Sequence, residues 1–239
     1  MNKFIFDVDG TLTPSRQRID QEFSKWFLEF CMANDVYLVT GSDYKKTQEQ
    51  LGDCLLRWPI YVYACSGNER WAKGKLERTR EWLLPINVRN WLELKLKNSE
   101  FVLRTGNHIE QRSGCVNFSV VGRGATLGER NLYVEYDRQS EERKQIAIQF
   151  NHLFPDIEAR LGGETGIDIY PKGWDKSQIL ADFDETEKIY FFGDKIEPGG
   201  NDWPLAHAIG LQRGGSFAVK DWQDTWARLR YLREIKEAK

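Results

Sequence analysis

Three short apolar runs punctuate the chain, and each gives way to small or acidic residues. Phe4-Ile5-Phe6 runs into Asp7, Val36-Tyr37-Leu38-Val39 into Thr40-Gly41-Ser42, and Ile189-Tyr190-Phe191-Phe192 into Gly193-Asp194. Runs this short and this uniformly apolar predict buried strands. Between the first two, Phe23, Trp26, Phe27 and Phe30 recur at helical spacing behind Asp20, which is suited to cap a helix, and the pattern stops near Asn34. Strand, helix, strand in that order predicts a parallel sheet. A second helical stretch closes at Gly52 and leads into Ile60-Tyr61-Val62-Tyr63, so the alternation continues.

From about Leu76 the texture changes. Residues 101–136 carry strand-like runs, Cys115 to Val121 among them, with turn signals at Thr105-Gly106-Asn107, Arg112-Ser113-Gly114 and Gly122-Arg123-Gly124. A helix is expected from Ser140 to His152. This is the texture of an antiparallel α+β insert. The first pattern resumes at Asp175, a cap for a short helix, and the tail from Asp221 to Lys239 is expected as an amphipathic helix with Trp222, Trp226, Leu229 and Leu232 on one face. The expected fold class is therefore α/β. A doubly wound parallel-sheet core, residues 1–79 and 173–239, is split around an inserted α+β cap, residues 80–172.

Composition narrows the function. Of 239 residues, 34 are Lys or Arg and 36 are Asp or Glu, so bulk charge gives no reason to expect nucleic acid as a partner. No apolar run approaches the roughly 18 residues of a membrane span, and nothing signal-like precedes Lys3, so the cytoplasm is the expected location. Cys31, Cys54, Cys65 and Cys115 lie far apart with no C-x-x-C pair, which reads as neither a zinc site nor a disulfide framework.

The chemistry should gather at the strand ends. In an open parallel sheet, ligands collect beyond the carboxyl ends of the strands, which here carry Asp7-Val8-Asp9-Gly10-Thr11, Thr40-Gly41-Ser42-Asp43 and Gly193-Asp194-Lys195. Asp7 and Asp9 are two apart and fall on one side of the chain if it stays extended. Two such carboxylates repel, which suits either a divalent cation or a base and nucleophile couple. Oxygen ligands from Asp7, Asp194 and a backbone carbonyl suit Mg2+ rather than Zn2+. Ser42 and Lys176 each sit where a helix should begin and where an anion is favoured. Serine, lysine, a divalent cation and two aspartates make a phosphoryl-transfer site, with an aspartyl-phosphate as a route that divides the reaction.

These residues also carry a resemblance. Asp7-Val8-Asp9-Gly10-Thr11 matches the D-x-D-G-T signature of haloacid dehalogenase-like phosphotransferases. Phe6 to Ile19, Gly41-Ser42-Asp43 with Gln48 to Gly52, Pro171 to Lys176, and Tyr190 to Asp202 together closely resemble the eukaryotic-type phosphomannomutases of that superfamily. The resemblance implies interconversion of mannose 6-phosphate and mannose 1-phosphate through an aspartyl-phosphate, with Mg2+ and a hexose 1,6-bisphosphate that charges the enzyme. It implies that Asp7 is the nucleophile and a metal ligand. Asp9 would be the general acid/base and a ligand through its carbonyl, Asp194 a further ligand, and Asp202 a support behind the metal. Ser42 and Lys176 would hold the transferring phosphoryl group, and Arg16 would meet substrate at the boundary between core and cap. Arg112, Arg123 and Arg130 would grip the distal phosphate, and Asp168 a sugar hydroxyl. A homodimer through the cap, and closure of cap on core, belong to the same implication.

The chain departs from that pattern in three places. Gly166 stands where the family has a serine, which takes a hydroxyl from the distal clamp. Ala64-Cys65-Ser66-Gly67 replaces Pro-Glu-Asn-Gly, and the loop after Asp202 is shorter. Gly166 motivates the alternative reading, a sugar-phosphate phosphatase in which water accepts the phosphoryl group. Locally the charge favours one phosphosugar over a polyanion: residues 101–134 hold four Arg against two Glu, while 80–172 balance at 13 basic and 13 acidic.

Overall fold

Parallel hydrogen bonding joins the three apolar runs in one sheet, in the computed structural model that describes residues 2–210 and 213–237. The first run is β1 (Lys3–Phe6), followed by α1 (Gln21–Ala33). Asp20 caps α1, its Oδ1 accepting from the N–H groups of Glu22 and Phe23 at 2.9 and 3.0 Å, as the pattern predicts. Next come β2 (Asp35–Val39), α2 (Tyr44–Leu51), α3 (Asp53–Leu56) and β3 (Tyr61–Ala64), with β2 and β3 parallel to β1. The hairpin of β4 (Glu69–Ala72) and β5 (Lys75–Thr79) then extends the sheet antiparallel to β3.

The chain next builds a second sheet. It comprises α4 (Ile86–Asn98), β6 (Ile109–Arg112), β7 (Cys115–Phe118), α5 (Leu127–Ser140), α6 (Glu142–Leu153), β8 (Ile157–Gly162) and β9 (Gly166–Pro171). Its four strands are antiparallel in the order β6-β7-β9-β8. A 3-10 stretch, Lys176–Asp182, capped by Asp175, leads back to the first sheet through β10 (Ile189–Gly193), α7 (Trp203–Ile209), β11 (Gly214–Ala218) and α8 (Trp222–Glu237). The first sheet reads β11-β10-β1-β2-β3-β4-β5. The fold class matches expectation: a parallel-sheet α/β unit with an antiparallel α+β unit inserted.

Strand alternation explains the layering. Phe4, Phe6 and Leu38 pack on one face against Phe23, Phe27 and Leu229, while Ile5, Tyr37 and Phe191 pack on the other against Ile179 and Leu205. Helices on both faces bury the sheet on both sides. Phe23 stacks on Trp222 and Trp226 with centroids 5.8 and 5.5 Å away, which docks α8 onto α1. The second sheet has its own core, in which Phe118, Tyr133, Phe150 and Ile169 are fully buried.

Two expectations need correction. Residues 101–136 are less stranded than their apolar runs imply: β6 and β7 are the strands, and from Leu127 the chain is helical. A capping box decides it, with Thr126 Oγ1 accepting from the Glu129 N–H and Glu129 reaching back to the Thr126 N–H. Ser140 accordingly ends α5, and the left-handed Glu141 (φ 51°) turns the chain into α6. The tail helix begins at Trp222; residues 238–239 of its expected span lie outside the described residues.

Candidate active site

The carboxyl ends of β1, β2 and β10 are neighbours, so Asp7, Ser42 and Asp194 converge. After β1 the backbone turns at once, with the N–H groups of Leu12 and Gly10 donating to Val8 and Thr13 carbonyls at 2.9 and 2.8 Å. Gly10 has φ 84°, and a Cβ there would lie 2.5 Å from Asp194 Oδ2, so only glycine lets this turn press against the neighbouring strand end. The turn also separates the two aspartates. Both line one cavity, but their carboxylates take different partners.

Asp7 is buried, and Lys176 Nζ donates to its Oδ1 at 2.5 Å and to Asp202 Oδ1 at 2.6 Å. Thr11 Oγ1 lies 3.5 Å from Asp7 Oδ2. Asp202 Oδ2 accepts from the Lys195 N–H at 3.1 Å, and Lys195 Nζ stands 3.0 Å from Asp194 Oδ2. Burial pushes the Asp7 carboxyl well above the usual range, with Asp202 and Asp194 adding to the push and Lys176 opposing it. Burial likewise raises Asp194, assisted by Asp202. Burial disfavours the Lys176 charge, yet Asp202 and Asp7 outweigh it and hold the ammonium above the usual lysine range.

Oxygen atoms of Asp7, Asp194 and Asp202 lie within 4.8 Å of one another. A set of oxygens alone fits Mg2+ and not a thiophilic or imidazole-loving ion, and the crowding of three acids gives a cation a reason to be there. Asp202, expected to support the metal from behind, thus shares this cluster with Asp7 and Asp194, two of the three expected ligands.

Asp9 has its own set of partners. Its Oδ1 accepts from the Arg16 N–H at 2.7 Å and from Gln50 Nε2 at 3.0 Å, and its Oδ2 from Ser42 Oγ at 3.3 Å. Ser42 precedes α2, whose cap is Asp43.

Across the cavity stand the residues of the second sheet. Arg112, Arg123, Arg130 and Asp168 line the same space as Asp7, Asp9, Arg16, Ser42 and Asp194, a volume of about 260 Å³. That is a small, polar cavity, suited to a small polar ligand. Arg112 Nη1 donates to the Gly41 carbonyl at 2.7 Å and pairs with Glu110, which also takes Arg123 Nε at 3.0 Å. Arg130 is 6% exposed, and its side chain makes no hydrogen bond or ion pair among the described residues. Burial presses Arg123 and Arg130 below the usual arginine range, so both gain from an anion. Asp168 Oδ1 accepts from Asn117 Nδ2 at 2.7 Å. Lys176 and Asp202 sit behind Asp7, outside the cavity wall.

Several wall residues escaped the sequence reading. Asn117 and Thr165 are buried, and Asn117 Oδ1 and Thr165 Oγ1 have no partner among the described residues. Gln50 holds Asp9, and Lys46 lines the cavity. Asn117 bears on the missing side chain of Gly166: a Cβ at 166 would lie 2.5 Å from Asn117 Nδ2, so the amide fills that space. The only signal for Asn117 was a polar residue interrupting an apolar run.

Comparison with known proteins places the chain. The family described as eukaryotic phosphomannomutase matches residues 24–235, a stretch that begins after the D-x-D-G-T segment. Phosphomannomutase 1 of Mus musculus is 34% identical, over 95% of this chain and 90% of its own length. A phosphomannomutase of Saccharomyces cerevisiae is 33% identical, over 84% and 83%. Among solved structures, a haloacid dehalogenase-like hydrolase from Bacteroides thetaiotaomicron covers 97% of this chain and 99% of its own with a TM-score of 0.56, at 11% identity, a likeness of fold.

Proposed function

The chain belongs to the eukaryotic phosphomannomutase family, and on that premise we propose that it interconverts mannose 6-phosphate and mannose 1-phosphate through a phosphorylated Asp7. One observation carries the reading: a single cavity has Asp7 on one wall and Arg112, Arg123 and Arg130 on the other. A mutase must accept a sugar with phosphate at either end. One end therefore needs chemistry, the other a clamp, and guanidinium forks suit the clamp.

In this reading Asp7 attacks phosphorus as the sugar oxygen leaves. Lys176 already occupies Oδ1, which leaves Oδ2 as the freer nucleophilic oxygen. Asp9 gives its proton to the departing sugar oxygen, and in the return step takes one from the hydroxyl that attacks the phosphorylated Asp7. The hydrogen bonds from Gln50 and the Arg16 N–H hold Asp9 for both tasks. Ser42 holds phosphoryl oxygens, while Lys176, expected to do the same, acts from behind Asp7 by balancing its charge; Arg16 meets substrate at the boundary, and Asp168 takes a sugar hydroxyl. Asp7, Asp194 and Asp202, with the Asp9 carbonyl, would hold Mg2+, which when bound neutralises phosphoryl charge. A hexose 1,6-bisphosphate charges Asp7 at the outset.

The proposal extends to organisation. Residues 1–79 and 173–239 form the catalytic core and 80–172 the cap that closes on it, excluding water. A homodimer through the cap accords with Leu83, Ile86 and Val102, which are 80, 70 and 84% exposed. Among the described residues no helix is long and apolar enough to cross a membrane. A cytoplasmic location accords with four free cysteines.

A coupled assay with Mg2+, mannose 1-phosphate and a hexose 1,6-bisphosphate tests the function. Isomerisation is expected, and Asp7→Asn should abolish it. Net release of inorganic phosphate without isomerisation overturns the proposal in favour of the phosphatase.

A further inference from the structure

Lys46 lies in the first turn of α2 and lines the cavity, yet its ammonium makes no hydrogen bond or ion pair among the described residues. Stability does not explain its position. A cation in the first turn of a helix works against the helix dipole. The charges acting on it come from both sheets: Asp9 after β1 and Asp43 at the head of α2 on the core side, Arg112 and Glu110 of β6 on the other. Burial and the like charge of Arg112 both disfavour the ammonium, and its pKa falls below the usual lysine range. Three carboxylates are thus insufficient to settle one lysine beside one arginine. A phosphate dianion in the cavity would reverse that balance.

We propose that Lys46 binds phosphate of the hexose bisphosphate and retains that species on the enzyme between the two transfer steps. The inference rests on the mutase reading given above. After the first transfer the sugar carries two phosphates, and it must turn end for end before the second. During the turn neither Ser42 at one end nor the arginines of the other hold both phosphates. A cation that lines the cavity and feels both Asp9 of the core and Arg112 of the second sheet can meet either phosphate as it passes. Lysine suits that role better than arginine, because a compact point charge on a flexible four-carbon stem follows a moving anion, whereas a planar fork favours one orientation. Lys46 is accordingly a binding residue that governs whether the bisphosphate turns or escapes.

The experiment compares the full-length chain with Lys46→Met and Lys46→Arg at low ionic strength, with Mg2+, mannose 1-phosphate and added hexose 1,6-bisphosphate. For Lys46→Met the bisphosphate concentration giving half-maximal turnover should rise about tenfold, the scale of one lost charge-assisted hydrogen bond. That rise should exceed the fall in kcat. Bisphosphate released into solution per isomerisation should rise with it, and Lys46→Arg should recover most of the loss. The melting temperature should not fall, since no protein group loses a partner and an unfavourable charge is removed. Half-saturation within twofold of the unaltered chain, or a matching loss of melting temperature, overturns the proposal. The mutase reading fails separately, if the unaltered chain does not isomerise a hexose phosphate. Calorimetric binding of the same bisphosphate to the two chains then still decides: tenfold weaker binding to Lys46→Met supports the role of Lys46, and equal binding ends it.

Discussion

Lys176 Nζ and Asp202 Oδ1 lie 2.6 Å apart with side chains 1% and 0% exposed, and the same ammonium reaches Asp7. The lysine is the counter-charge for a buried acidic centre. Removing it leaves Asp7 and Asp202 facing each other without the ammonium they share. Lys176→Met should therefore cost about 3–5 kcal/mol, the scale for breaking a buried pair. Urea denaturation without Mg2+ measures it, and a loss under about 1 kcal/mol would contradict the assigned role.

Acid should weaken the fold at a second, separate place. Asp182 is bridged by Arg78 through two hydrogen bonds of 2.8 and 2.9 Å, with Arg70 at 3.3 Å. Burial works against its charge, but Arg78 prevails and the carboxyl titrates below the usual aspartate range. A depressed folded-state pKa means stability that is present above the unfolded value, near 4, and lost as pH falls through the folded one. The urea midpoint should drop between about pH 4 and pH 2, and Asp182→Asn should flatten part of that drop. An unchanged slope in the variant would remove Asp182 from the account.

Gly166→Ser should not rebuild a clamp. The new Cβ would meet Asn117 Nδ2 at 2.5 Å and the Gly162 carbonyl at 3.0 Å, so the amide that holds Asp168 must move. A cost of roughly 1–3 kcal/mol in stability follows from overpacking, together with a higher KM for the hexose phosphate. Steady-state kinetics check it; a KM lower than that of the unaltered chain would mean the serine does find room.

Association through the cap is open to direct measurement. Sedimentation of the full chain should give twice the mass of 239 residues. Val102→Glu, which puts a charge on a side chain 84% exposed, should shift it towards the single-chain mass without lowering the melting temperature of the cap. A single-chain species at micromolar concentration in the unaltered protein would rule the dimer out.

Legibility in the sequence followed the range of the interaction. β1, β2 and β10 were readable because strands buried on both faces are apolar throughout, and their ends named Asp7, Ser42 and Asp194. α1 was readable because its cap and its apolar stripe agree. α5 was not, since Leu127, Tyr133 and Val134 read as β-type runs until the Thr126 and Glu129 box is weighed. The hairpin of β4 and β5 hid in a mixed polar stretch whose pairing is with β3. Asn117, Thr165 and Lys46 were unreadable for a different reason. A polar residue looks solvated until the second sheet is folded against the first, and only then does it have a cavity to line.

The contact between Asp7 and Lys176 spans 169 positions of chain. β1 to β5 are made early, the insert follows, and β10 and Asp202 come after it, so the nascent chain carries Asp7 long before it carries Lys176, Asp194 and Asp202. A chain halted between Pro171 and Asp202 holds every strand of the antiparallel sheet and still lacks part of the acidic centre. Pairing across so long an interval is also slow, because the loop must close before any contact rewards it. The acidic centre is thus assembled only when a late part of the polypeptide has met the oldest.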